Sequence, residues 1–355
     1  MKQAGVKVLR TWGFNAINGS ELAGALQSGL TYYQGLQRLD NVIKTAEKYD
    51  IKVLLAFTNN WVGYGGMELY INWIAGSNNT HDVFYTDPRI VASYRKFSAS
   101  LLSYSWKLIP NSCSEKYVRT IVERYKDSPA IFAWELMNEA RCLGDLPAGP
   151  ACVAGTNLLP QWYKAQSDFV RSLDPYHMIT TGGEGHFFWA DPETYWLDGT
   201  LVSDYNFNGD AGENFDLDIT FPNIDFAPVP SNMASILNLI PQVPTSQYKT
   251  GVLDGSMIIS TVSANRAGKP LLLEEFGVDG LSEVLLNIPP AKAWVEHALD
   301  TKHAGIMPWQ FGQLGLSENG GNRLIKYADA LINGASPNDG FAIYPNETAV
   351  RDIFT

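Results

Sequence analysis

Short runs of β-branched and large apolar residues recur along this chain, with helical patterns between several of them, and that alternation constrains the fold more than any other feature. Seven runs can be counted: Val6 to Trp12, Ile51 to Phe57, Ile131 to Asn138, His177 to Gly182, Asn223 to Ala227, Pro270 to Phe276 and Ala304 to Gln310. Between them, Leu36, Leu39, Val42, Ile43 and Ala46, and later Trp162, Phe169, Val170 and Leu173, repeat at the 3/4 spacing of an amphipathic helix. Strands alternating with helices specify a parallel sheet. The chemically unusual residues follow the strand-like runs: Arg10 and Trp12, Asn59 and Trp61, Asn138 and Glu139, Glu184, Glu275, Trp309. A (β/α)8 TIM barrel has this distribution, because its site is assembled from loops at the C-terminal ends of several strands. An open doubly wound sheet is the alternative, but it usually carries a glycine-rich phosphate loop, and no G-x-G-x-x-G or Walker pattern stands here.

Seven runs are one fewer than a barrel needs, and the first begins almost at Met1. The expectation is therefore a barrel lacking its first strand in this chain, with exposed sheet edges and lowered stability. Residues 1–355 read as one catalytic domain with two irregularities. Val91, Tyr94 and Phe97 share an apolar helical face with Tyr117, Val118, Ile121, Val122 and Tyr125, and the stretch 98–115 between them matches neither flank, so it reads as an insertion. A Pro- and Asn-rich stretch at about 227–256 reads as divergent.

Composition excludes several functions. The net charge of -11 and pI near 4.9 argue against nucleic acid or an anionic membrane as partner. No run of about 18 apolar residues and no signal peptide is visible, so a soluble chain is expected. Three cysteines are too few for a disulfide framework, although Cys142 and Cys152 flank a Gly/Pro-rich loop that they could bridge, leaving Cys113 over. Sequons at Asn18, Asn78 and Asn346 permit secretion. None of the five histidines forms a ligand-spaced pair, and no G-x-S-x-G elbow is present, so neither a metal nor a serine hydrolase is expected, nor any cofactor.

Tryptophans and tyrosines beside Asn, Gly and Asp, as in TNNWVGYGG and HFFWADPETYW, suit the apolar face of a pyranose ring, whose hydroxyls need short polar partners. Two carboxylates complete the pattern. Glu139, in IFAWELMNEARC, and Glu275, in LLLEEFG, each stand where a buried strand gives way to a loop. Retaining glycoside hydrolysis needs two such carboxyls about 5–5.5 Å apart, one attacking the anomeric carbon and the other donating a proton to the leaving oxygen; an inverting enzyme holds them about 6.5–9.5 Å apart, a difference that sequence does not measure. Glu274 is the rival nucleophile, and strand alternation is expected to turn it away if Glu275 faces the barrel.

These motifs, with VLRTWGFN, YKDSPAIFAWELMNEARC, TTGGEG, GKPLLLEEFG and MPWQFGQ, resemble glycoside hydrolase family 5, and within it the fungal endo-β-1,4-mannanases. The resemblance covers most of the chain. It implies that Glu139 is the acid/base and Glu275 the nucleophile, supported by Arg10 and Asn138, with Trp309 under the sugar at the cleavage point. By the same likeness Trp12, Trp61, Arg141 and Glu184 line the substrate groove. It further implies a β-mannan-type polysaccharide substrate, an extracellular location and a monomer. A departure stands beside the match. The family carries a His-x-Tyr pair after the sixth strand, whose Tyr hydrogen-bonds the nucleophile, whereas this chain reads IDFAPVPSNMASILNLIPQVP, with Tyr205 or Tyr248 as the other tyrosines to be considered. A β-1,4-glucan-active relative, or a catalytically impaired, carbohydrate-binding or incomplete homologue, are the alternatives.

Overall fold

The computed structural model describes residues 1–14, 32–62, 65–95, 117–192, 194–197, 199–229, 253–277, 288–312, 341–344 and 352–353. The stretch 98–115 and residues 230–252 of the divergent stretch lie outside them, as do Cys113 and Tyr248. In chain order the elements are β1 (Val8–Trp12), α1 (Tyr32–Tyr49), β2 (Lys52–Ala56), α2 (Met67–Ile74), α3 (Val83–Thr86), α4 (Pro88–Arg95), α5 (Tyr117–Tyr125) and β3 (Ile131–Glu135). There follow α6 (Leu158–Leu173), β4 (Met178–Thr180), β5 (Thr194–Leu197), β6 (Thr200–Ser203), α7 (Phe215–Asp218), β7 (Ala227–Val229), α8 (Leu253–Ala267), β8 (Leu271–Phe276), α9 (Ile288–Asp300) and β9 (Gly305–Pro308).

Strands β1 to β4 pair in parallel in sequence order, and so do β7 to β9. Residues 225–227 join the two groups. The Asp225 amide donates to the Ile179 carbonyl at 2.8 Å, the Thr180 hydroxyl to Phe226 O at 3.2 Å, and the Ala227 amide to Pro270 O at 2.9 Å. The fifth apolar run thus differs from expectation. Only its last residue, Ala227, enters a ladder strand, because the Asp225 carboxylate also accepts the Ile179 amide at 2.8 Å and draws the residues before it to β4. Past β9, Gln310 and Gly312 pair with Phe341 and Ile343, a short parallel contact that the seven runs did not include.

Curvature is evident from the interior. One apolar cluster holds Leu54 of β2, Ala133 of β3, Phe226 and Leu272 of β8, with Val8 of β1, Met178 of β4 and Met307 of β9 packed against it. Side chains from both ends of the strand order meet only if the sheet is rolled up, and this cluster is the packed inner layer of a (β/α)8-type sheet that has seven parallel strands, β1 to β4 and β7 to β9, among the described residues, as the seven apolar runs imply. The opposite strand face, with Val53, Leu55, Ile131, Trp134 and Ile179, packs under the helices. Both faces are covered, which is why the strands read as continuous apolar runs.

The helices follow their patterns with small shifts. On α5, Val118, Ile121, Val122 and Tyr125 are buried. On α6 the buried face runs through Leu159, Trp162, Tyr163, Gln166, Ser167 and Val170, with Phe169 and Leu173 at its margin. On α1, Ile43 and Ala46 are buried, but Val42 is exposed. The connection from β4 to β7 carries an antiparallel hairpin, β5 with β6, that the apolar runs did not reveal. A disulfide joins Cys142 to Cys152 and closes the loop after β3, with Cα atoms 5.5 Å apart. Among the described residues, no helix is long and apolar enough to cross a membrane.

Candidate active site

Directly above the apolar layer the barrel interior turns polar, and Arg10 is its centre. Two residues after Val8 on β1, Arg10 points inward by strand alternation. Its Nε donates to Glu135 Oε2 at 2.6 Å and its Nη2 to Glu135 Oε1 at 2.5 Å and Asn138 Oδ1 at 2.7 Å, while Nη1 donates to Glu275 Oε1. Burial opposes the charge on Arg10, but the carboxylates of Glu135, Glu274 and Glu139 outweigh it and raise its pKa. Glu135, fully buried two residues above Ala133, was not singled out from the sequence. A charged residue within the apolar run IFAWELM was the available signal.

Glu274 and Glu275 both reach Arg10. Leu272 lies in the inner layer, whereas Leu271 and Leu273 pack under the helices, so alternation itself sends Glu274 inward. Its Oε2 stands 3.5 Å from Arg10 Nε. Alternation would then turn Glu275 outward, but Glu275 has φ 48° and the pairing with β9 shifts register between Glu274 and Phe276. Phe276 accordingly joins the helix-side cluster with Leu271 and Leu273. The expectation that alternation would turn Glu274 away is therefore corrected: the backbone irregularity at Glu275 brings two successive carboxylates to one guanidinium. Glu139 has φ 50°, so both candidate glutamates adopt a left-handed conformation that costs a non-glycine residue about 1–3 kcal/mol.

Glu139 sits in a second group of contacts beside the first. The Trp61 indole donates to Glu139 Oε2 at 2.5 Å. Burial raises the Glu139 pKa, the Glu184 carboxylate raises it further, and Trp61, Arg141 and Arg10 oppose them. Arg141 lies over the Trp61 ring at 5.3 Å and donates from Nε and Nη2 to the two oxygens of Glu184, the second at 2.5 Å. Burial works against ionisation of Glu184, but His186 and Arg141 outweigh it and hold the carboxyl below its ordinary range. His186 Nε2 is 3.5 Å from Glu184 Oε2. Tyr205 packs against His186 and Arg141, with centres at 5.1 and 5.9 Å, and so belongs to the Glu184 group.

Aromatic rings flank the Arg10 side. Trp12 and Trp309 lie 6.0 Å apart, tilted by 34°, and Arg10 stands 5.1 Å from the Trp12 ring. The nine residues singled out from the sequence therefore fall in two adjoining sets: Arg10, Trp12, Asn138, Glu275 and Trp309, then Trp61, Glu139, Arg141 and Glu184. The backbone between the sets is held tightly. Asn138 Nδ2 donates to Asn59 Oδ1 at 2.9 Å, and the Glu139 amide to Gly182 O at 2.8 Å. Gly182 has φ 72°, and a Cβ there would stand 2.3 Å from Met137 O. Glu213, also not singled out, is buried and accepts the Tyr163 hydroxyl at 2.9 Å and the amides of Glu184 and His186 at 3.1 and 3.2 Å. No metal-binding cluster of His, Cys, Asp or Glu occurs among the described residues.

A family model described as glycoside hydrolase family 5 beta-mannosidase-like matches residues 3–196. The mannan endo-1,4-beta-mannosidase F of Aspergillus clavatus is 33% identical over 365 residues, covering 97% of this chain and 65% of its own length. The probable mannan endo-1,4-beta-mannosidase A-1 of Aspergillus terreus is 33% identical over 353 residues, covering 97% and 73%. Among solved structures, the endo-1,4-beta-mannanase of Rhizomucor miehei has a TM-score of 0.67 at 25% identity, over 100% of this chain and 87% of that one. The hyperthermostable endo-1,4-beta-D-mannanase of Thermotoga petrophila RKU-1 has a TM-score of 0.70 at 25% identity, over 99% and 91%.

Proposed function

This chain belongs to the glycoside hydrolase family 5 beta-mannosidase-like family, and from that premise we propose that it is a retaining endo-β-1,4-mannanase acting on mannan, galactomannan or glucomannan. The observation that carries the reading is the division of labour around Arg10 and Arg141. Arg10 donates to Glu275 and Asn138, whereas the half-buried Glu139 has its pKa raised by desolvation and by the Glu184 carboxylate. A nucleophile must be ionised and an acid must hold its proton: the Arg10 guanidinium donates directly to Glu275, while desolvation and the Glu184 carboxylate raise the Glu139 pKa. Glu275 attacks the anomeric carbon while Glu139 protonates the departing glycosidic oxygen. Glu139 then takes a proton from water, which releases the sugar with its configuration retained. Asn138 holds the 2-hydroxyl, and Trp309 with Trp12 forms the aromatic platform. Trp61, Arg141 and Glu184 line the groove on the acid's side.

The enzyme works outside the cell as a monomer. The Cys142–Cys152 bridge supports an oxidising compartment, and the exposed Asn78 supports secretory glycosylation. Reducing-end release from mannan, measured beside cellulose, tests the function. Mannan is expected to be preferred, and Glu139→Gln to lower its cleavage by about 10²–10⁴-fold. Release unchanged in that variant, or confined to cellulose, refutes the reading.

A further inference from the structure

Three carboxylates surround one guanidinium in the polar layer of the barrel. Arg10 from β1 faces Glu135 from β3 and both Glu274 and Glu275 from β8, and Glu139 from the loop after β3 acts on it from farther away. With Glu135, Glu274 and Glu275 all ionised, one cation would balance three anions just above an apolar layer, an arrangement that burial disfavours. One proton restores near balance, and the contacts indicate where it sits. Glu135 receives two donors from Arg10 and Glu275 receives one. Among the described residues Glu274 has only the 3.5 Å contact to an Nε already committed to Glu135, and its buried Oε1 has no hydrogen-bond partner there.

We propose that Glu274 is a positioning residue that stays protonated in the working enzyme, so that the Arg10 charge serves Glu135 and the nucleophile Glu275 alone. The proposal rests on the mannanase reading above. When Glu274 loses its proton, a third anion competes for Arg10 and draws Nη1 away from Glu275, so the nucleophile loses its orienting donor. Burial pushes the Glu274 carboxyl up to about 8, with Arg10 opposing and Glu135 adding to the rise. The change therefore falls on the alkaline side of neutrality.

Glu139 also titrates above the ordinary carboxyl range, so the test removes it first. In Glu139→Gln, kcat/KM is measured against pH for a 2,4-dinitrophenyl β-mannobioside, whose leaving group departs without a proton. Cleavage is expected to fall at least about tenfold as pH rises through the Glu274 ionisation. The fall disappears in Glu139→Gln/Glu274→Gln, and in Glu139→Gln/Glu274→Met, which keeps similar volume without charge. A flat profile in Glu139→Gln alone, or the same fall in both double variants, overturns the proposal. No cleavage by the unmutated chain would instead refute the mannanase reading itself.

Discussion

Replacing Arg10 by Lys separates charge from geometry, since the positive charge remains while the planar fork is lost. Arg10 makes four donor contacts: two to Glu135, one to Asn138 and one to Glu275. A lysine ammonium is a compact point charge on a flexible stem and cannot span all three partners. Hydrogen bonds to charged groups contribute about 1.5–3 kcal/mol each, and at least two are lost. The Arg10 side chain is only 8% exposed and that of Glu135 0%, so water offers little compensation. The expected loss of stability is about 3–5 kcal/mol, as for a broken buried pair. The midpoint of urea unfolding then falls with an unchanged slope. Loss of the donor that orients Glu275 should also lower kcat/KM on mannan by about 10²–10³. Arg10→Met should lose at least as much in both measurements. An Arg10→Lys variant with an unchanged midpoint and kcat/KM within tenfold of the original would refute the reasoning, because charge without geometry would then suffice.

Further consequences can be measured separately. In a Glu274→Gln background, Trp61→Phe removes the indole donor that favours ionised Glu139, so the Glu139 pKa rises and the alkaline limb of kcat/KM moves to higher pH; movement to lower pH would contradict this. Reduction of the Cys142–Cys152 bridge, or Cys142→Ser, should lower stability by about 3 kcal/mol for so short a loop, read by thermal unfolding with and without reductant. Gly182→Ala places a Cβ 2.3 Å from Met137 O and 2.5 Å from Glu135 Cγ at φ 72°, so both its melting temperature and its activity should fall.

Much of this arrangement was legible in the sequence because barrel strands covered on both faces leave uninterrupted apolar runs, as in Val53 to Phe57. The polar residues that end those runs point to one face, which is why Arg10, Asn138, Glu139, Glu184 and Trp309 could be singled out before any contact was known. The structure departs where period-two reasoning fails. At Glu275 a left-handed backbone interrupts the alternation, so Glu274 and Glu275 both face Arg10, an outcome that strand periodicity cannot express. Glu135 was hidden inside an apolar run. Glu213 was hidden by distance along the chain, since its partners Tyr163, Glu184 and His186 come from other elements. The β5–β6 hairpin did leave a signal, the Asp-Gly pair at 198–199, which favours a tight turn.

The assignment of Glu275 as nucleophile is tested most directly by trapping the covalent intermediate. A 2-deoxy-2-fluoro-β-mannosyl fluoride slows both chemical steps, but its good leaving group lets the first proceed, so the glycosyl-enzyme accumulates. Proteolysis and mass spectrometry then locate the sugar. Labelling on Glu275 is the expected result. Labelling on Glu274, or continued turnover with no covalent adduct on either residue, would contradict the central claim.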